Sequence, residues 1–97
     1  MGRNLLDTAL AGGAQACGGG GGLAVGQPAD ILLLDGDHAL LAGRGGDAVV
    51  DSWVFAGNVA LVRHVVVGGR IVVRDGHHHH EDDAASRFIA TVRHLAA

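Results

Sequence analysis

Gly68-Gly69 sits between Leu61-Val62-Arg63-His64-Val65-Val66-Val67 and Arg70-Ile71-Val72-Val73-Arg74-Asp75, and no other feature restricts the fold as much. Two β-branched runs separated by two residues that accept positive φ make a β-hairpin with a tight primed turn. The loop length sets the register. Val67 is expected opposite Arg70, Val65 opposite Val72 and Arg63 opposite Arg74. One face then carries three arginines with three valines. The other carries Val62, His64, Val66, Ile71 and Val73, ends in Asp75, and is expected to face a core.

Ile31-Leu32-Leu33-Leu34 is a continuous apolar run after the turn chemistry of Gly26-Gln27-Pro28. It reads as a strand, about 30–35, covered on both faces. Three segments read as helices. Residues 4–17 carry Leu5, Leu6, Ala9, Leu10 and Ala14 near helical period, with Asn4 as N-cap and Asp7 answering the free amides. Residues 47–56 begin on Asp47 as N-cap and stop at Gly57, placing Val49, Val50, Trp53 and Val54 on one face, while their Val-rich content would equally allow a strand. Residues 81–96 are amphipathic through Ala84, Ala85, Phe88, Ile89, Val92 and Leu95, with acids at the start and Arg93 and His94 at the end. The expected class is therefore α+β, one small domain over 1–97. Its small sheet (strand about 30–35, hairpin about 61–75) is covered by helices.

Composition removes several functions. The chain has no lysine, seven arginines against ten acids and a net charge of −3. No basic stripe forms, so neither nucleic acid nor an anionic membrane is an expected partner. No apolar run approaches the roughly 18 residues of a membrane span, and no signal-peptide pattern opens the chain. A single cysteine, Cys17, excludes an internal disulfide and suits a reducing cytoplasm. Abundant Ala, Gly, Arg and Val without Lys points to a GC-rich bacterial source. Aromatics are 3% of the chain, so the core is expected to be Val, Leu, Ile and Ala.

The candidate chemistry is sparse. Gly18 to Gly22 lacks the preceding strand and following Lys-Ser/Thr of a phosphate loop, and reads as a flexible turn. His77-His78-His79-His80 has the right ligand type for zinc, nickel or copper. Adjacent residues project in different directions, however, whereas a built site needs converging ligands. Three readings stay open: solvent-exposed histidines with only adventitious metal affinity, a real metal site, or a tag remnant. The 17 residues that follow, with their good helix, argue against the tag. His64 is expected packed and hydrogen-bonded, and His38 beside Asp35 and Asp37 reads as a polar turn. Asp30 and Asp35 read as turn formers, His94 as a dipole partner and Cys17 as a buried small residue. Ser52 lies in no nucleophile-elbow context. No catalytic constellation assembles, and no catalytic, cofactor-binding or metal-binding residue is assigned.

The order of segments carries a resemblance. Gly12-Gly13-Ala14-Gln15-Ala16, then Gly22-Leu23-Ala24-Val25-Gly26-Gln27-Pro28-Ala29-Asp30-Ile31-Leu32-Leu33-Leu34-Asp35, then Val65 to Gly76, resembles the C-terminal end of an amidohydrolase-superfamily enzyme. There a G-A-x-A-L-G helix is followed by G-x-L-x-x-G-x-x-A-D and an apolar strand. A closing hairpin reads V-x-V-x-G-x-x-V-x-x-G. The Gly-Gly-Ala-Gln-Ala helix, the Ala42-Gly43-Arg44 loop, Asp51 to Gly57 and the last helix resemble formimidoylglutamate deiminases of histidine degradation. The family's Ala-Leu-Gly is Ala16-Cys17-Gly18 here.

The resemblance implies a parent enzyme in which zinc or a similar divalent metal activates water to break a C–N bond and release ammonia. It implies that this segment belongs to the composite β-sandwich beside a TIM barrel. The H-x-H, the later histidines and the late aspartate of the family's metal centre have no counterpart here. Neither has the barrel, nor the N-terminal strands that complete the sandwich. The expectation is a structural fragment without a cofactor of its own, inactive alone. Its exposed strand edges would be met by the missing barrel or by a second copy in a homo-oligomer. The alternatives are a stand-alone binding protein holding metal through its His tract, and a small enzyme in its own right.

Overall fold

Gly68 and Gly69 carry φ of 56° and 79°, the pair of positive values that a type I′ turn requires. In a computed structural model describing all residues from Met1 to Ala97, they join β2 (Val62–Val67) to β3 (Arg70–Arg74) with Val67 opposite Arg70. Asp75 and Gly76 repeat the device, with φ of 50° and 82°. They turn β3 back into a two-residue strand, β4 (His77–His78). β1 (Ile31–Leu34) pairs antiparallel with β2, giving a four-stranded sheet in the order β1-β2-β3-β4.

Two aspartates fasten the sheet to itself. Asp30 Oδ1 accepts the Gly68 N–H at 2.8 Å, and the Gly69 N–H reaches the Ala29 carbonyl at 3.0 Å. The residue that opens the apolar strand thus clamps the hairpin turn. Asp35 closes the other end of β1, its N–H donating to the Leu61 carbonyl at 2.8 Å.

The register departs from the loop-length expectation beyond the first two pairs. Val66 faces Ile71 as expected, but Val65 faces Val73, so Val72 is an extra residue in a bulge. The reason is legible in the charges. A regular ladder would set Arg63 against Arg74, and like charges directly opposite are destabilising. The bulge instead brings Arg63 Nε within 3.2 Å of Asp75 Oδ1 and leaves the Gly76 N–H on the Arg63 carbonyl at 2.7 Å. Bulges re-aim side chains in this way. Ile71, expected to face inward, is 50% exposed.

The helices are α1 (Gly2–Ala16), α2 (Asp47–Val54) and α3 (Glu81–Ala96). The first starts before the expected Asn4 cap because its cap is not local. The Gly2 N–H donates to Asp51 Oδ1 on α2 at 2.8 Å, satisfying one of the free amides of the first turn. A Cβ on Gly2 would stand 3.0 Å from the Asp51 Cα, so the two helices meet at a glycine by necessity. Asp7, inside α1, pairs with Arg3 at 3.6 Å rather than capping the helix. In α2 the N-cap is Gly46, with Asp47 in the first turn. α3 has the bounds its periodicity predicts.

The expected core and its covering helices are largely absent. Three residues are buried: Leu41, Leu61 and Gly2. α1 packs on α2, and the strands pack on one another; the helices do not cover the sheet. β1 was expected to be buried on both faces, yet it forms one side of the sheet, with Leu32 and Leu33 exposed. Cys17, expected buried, is exposed. It ends α1 where five positive-φ glycines lead away and bring no side chain to cover it.

The accessible surface is 7432 Å², where a self-contained monomer of 9.8 kDa shows about 5,200 Å². The radius of gyration, 16.8 Å, compares with about 13 Å for a self-contained domain of this length. Roughly 2,200 Å² that a domain of this size would bury therefore lies open. No helix is long and apolar enough to cross a membrane.

Candidate functional site

The histidine tract lies where β4 turns into α3, and three of its four Nδ1 atoms are engaged by the surrounding backbone and side chains. His77 Nδ1 bonds Glu81 Oε1 across one helical turn. The His78 N–H donates to Glu81 Oε2 at 3.1 Å, and His78 Nδ1 accepts the His80 N–H at 2.9 Å. The His79 N–H and Nδ1 both face the Val72 carbonyl, at 3.3 and 3.2 Å. Val72 stands opposite His79 in the continued β3–β4 register, so the backbone bond adds one rung to that ladder and the ring nitrogen supplements it. The rings of His78 and His79 stack at 4.4 Å, and those of His79 and His80 lie 4.0 Å apart.

This corner is a polar bracket that starts α3. No three His, Cys, Asp or Glu side chains are placed to hold a metal ion, here or elsewhere in the chain. Three of the tract's four Nδ1 atoms are already engaged. His77, His79 and His80 are exposed and His78 is half-buried, as the solvent-exposed reading has it. The strand they help form is the part that reading lacked. Its signal was Asp75-Gly76, a strong two-residue turn pair.

Glu81 sets the electrostatics of the corner. Its hydrogen bond to His77, and then its charge, raise the His77 pKa above 6.5. The bond from His77, followed by that from the His78 N–H, lowers the Glu81 pKa below 4.5. The His77 contribution is complete below pH 6.5 and is lost as pH rises through its raised value. The Glu81 contribution is complete above pH 4.5 and is lost as pH falls through its lowered value. The pair is therefore fully formed between about pH 4.5 and 6.5. An NMR titration is expected to place the His77 midpoint above 6.5, and Glu81→Gln is expected to bring it back. A midpoint unmoved by that change would show that the pair does not form in solution.

The remaining candidates are structural. His64 is half-buried, and its Nδ1 accepts the Asp75 N–H at 3.2 Å, which supports the positive φ of Asp75. His38 Nδ1 accepts the Leu40 N–H at 3.1 Å, and Asp35 Oδ1 accepts the Asp37 N–H at 3.2 Å. Both serve the polar turn expected there. A hollow of about 380 Å³ gathers Asp35, Asp37, Arg63 and Asp75, but Arg63 is spent on Asp75 and the Asp35 carboxylate on its turn. A second hollow, of about 550 Å³, sets Arg70, His79 and His80 over Val67, Ile71 and Val72. Neither brings an acid, a base and a nucleophile together. Ser52 lies within α2, and His94 in the last turn of α3.

No family profile matches the chain. A protein comparison does decide its relationship. Over 96 residues, 98% of the chain, it is 51% identical to the formimidoylglutamate deiminase of Pseudomonas aeruginosa. The chain is homologous to a segment of formimidoylglutamate deiminase. It spans 21% of that enzyme's length. The aligned region covers the whole sheet and all three helices, so the Asp30 clamp and both glycine turns fall within it.

Proposed function

We propose that this chain is a structural segment of a metal-dependent amidohydrolase of the formimidoylglutamate deiminase type, without activity alone. The observation that carries this reading is the 51% identity along nearly the whole chain to about a fifth of the deiminase. It is joined to a fold that leaves roughly 2,200 Å² uncovered. The parent reaction would be hydrolysis of a C–N bond with release of ammonia, in the reducing cytoplasm. The zinc or similar ion of such a centre does not fit the residues present: no three ligating side chains converge. No chemical step is assigned to this chain.

Its contribution is scaffold. Asp30 and the Gly68-Gly69 turn lock β1, β2 and β3 into one sheet. β1 offers a free edge to which further strands of the enzyme can add. Purified chain supplied with formimidoylglutamate and zinc is expected to release no ammonia above the buffer blank. Turnover that stays with the chain through repurification would overturn the reading.

A further inference from the structure

We propose that Asp35-Gly36 is a site of spontaneous backbone isomerisation, at which the Gly36 nitrogen attacks the Asp35 side-chain carboxyl and the resulting succinimide opens to isoaspartate. The chain holds two Asp-Gly pairs, Asp35-Gly36 and Asp75-Gly76. A glycine carries no Cβ to obstruct its nitrogen's approach to the preceding carboxyl carbon, so both pairs have the chemistry. Exposure alone points to the second, because Asp75 is exposed and Asp35 half-buried.

Hydrogen bonding reverses that order. The Gly76 N–H is held by the Arg63 carbonyl at 2.7 Å, and Asp75 Oδ1 by Arg63 Nε at 3.2 Å. Both reacting groups of this pair must first give up a bond. The Gly36 N–H, by contrast, donates to no group of the chain. Asp35 Oδ1 accepts the Asp37 N–H at 3.2 Å, and the ring closed by that bond contains both Asp35 Cγ and the Gly36 nitrogen. The carboxyl is thus kept folded back over the peptide link that attacks it. The atoms balance with water alone. The Gly36 nitrogen bonds to Asp35 Cγ, and its proton leaves with the carboxyl hydroxyl as water. Water then adds to the side-chain carbonyl, regenerating aspartate, or to the backbone carbonyl, breaking its bond to nitrogen. The second route passes the main chain through Cβ and Cγ and turns the former backbone carbonyl into a free carboxylate. That carbonyl accepts the His38 N–H at 3.1 Å, so isomerisation removes a bond of the turn that leaves β1.

The test is a time course of the full chain at neutral pH and body temperature, followed by digestion and electron-transfer fragmentation, which distinguishes isoaspartate from aspartate at each position. Isoaspartate is expected to accumulate at residue 35 about fivefold faster than at residue 75, the factor for one backbone hydrogen bond that has to open first. In strong denaturant, where the fold no longer holds Gly76, that preference is expected to vanish. A Cβ on Gly36 would meet nothing within 4 Å. Gly36→Ala is therefore expected to keep the parent circular dichroism, suppress isoaspartate at residue 35 and leave the rate at residue 75 unchanged. Equal rates at the two positions in the folded chain overturn the proposal, as does faster reaction at residue 75. So does a preference for residue 35 that survives in denaturant, or isoaspartate that forms there at the parent rate in Gly36→Ala.

Discussion

Leu61→Ala is expected to unfold this chain or lower its melting temperature by about 15 °C or more. Leu61 is 1% exposed and, with Leu41, makes up the buried apolar core. Truncating a buried leucine costs about 2–5 kcal/mol, the transfer free energy of the lost atoms plus the cavity they leave. With only two apolar residues fully buried, the chain has little further core to offset that loss. In a domain of this length each kcal/mol moves the midpoint by about 4–8 °C. Position amplifies the effect. The Leu61 carbonyl accepts the Asp35 N–H, so the residue that fills the core also ties β1 to the strand entering β2. Leu32→Ala, on an exposed side chain of β1, serves as the control and is expected to shift the midpoint little. Thermal melts followed by circular dichroism decide the matter; a Leu61→Ala midpoint within about 4 °C of the parent would contradict this assignment of the core.

Turn chemistry and helical periodicity were the parts of this fold legible in the residues. Gly68-Gly69 placed the hairpin because only a left-handed pair closes it, and the period of Phe88, Ile89, Val92 and Leu95 bounded α3. Three features escaped because they are not local. The cap of α1 comes from Asp51, 49 residues away, whereas local sequence offers only Asn4. The bulge at Val72 follows from the cost of facing Arg63 with Arg74 and from the alternative that Asp75 provides. Pattern alone read a regular ladder. Burial of the apolar segments is not legible locally, because an apolar run states what a side chain can cover and not whether the cover is present. Leu32, Ile71 and Phe88 all lie open here.

The candidate site shows the same division. The exposure of His77, His79 and His80 is legible in the polarity of the tract, whereas the stacking of the His78 and His79 rings is not. That His77 and His78 form β4 follows from the Asp75-Gly76 turn and not from the tract itself. The family relationship was legible for a different reason. It rested on the order of G-A-x-A, A-D-apolar strand and closing hairpin, and the structure gives that order a physical basis: Asp30 from the second motif holds the turn of the third.

Fragment complementation tests the central claim most directly. The deiminase of Pseudomonas aeruginosa, truncated to omit the stretch that this chain matches, would lack one part of its scaffold and expose the surface that part covers. Alone, it is expected to lose ammonia release from formimidoylglutamate. Mixed with this chain, it should regain turnover that saturates as chain is added, because the sheet and β1 edge supply what was removed. Leu61→Ala chain should fail to restore it, since the scaffold must be folded to dock. The account predicts activity only in the mixture with the parent chain. Turnover by this chain alone, or a truncated enzyme that stays inactive however much folded chain is added, would contradict it.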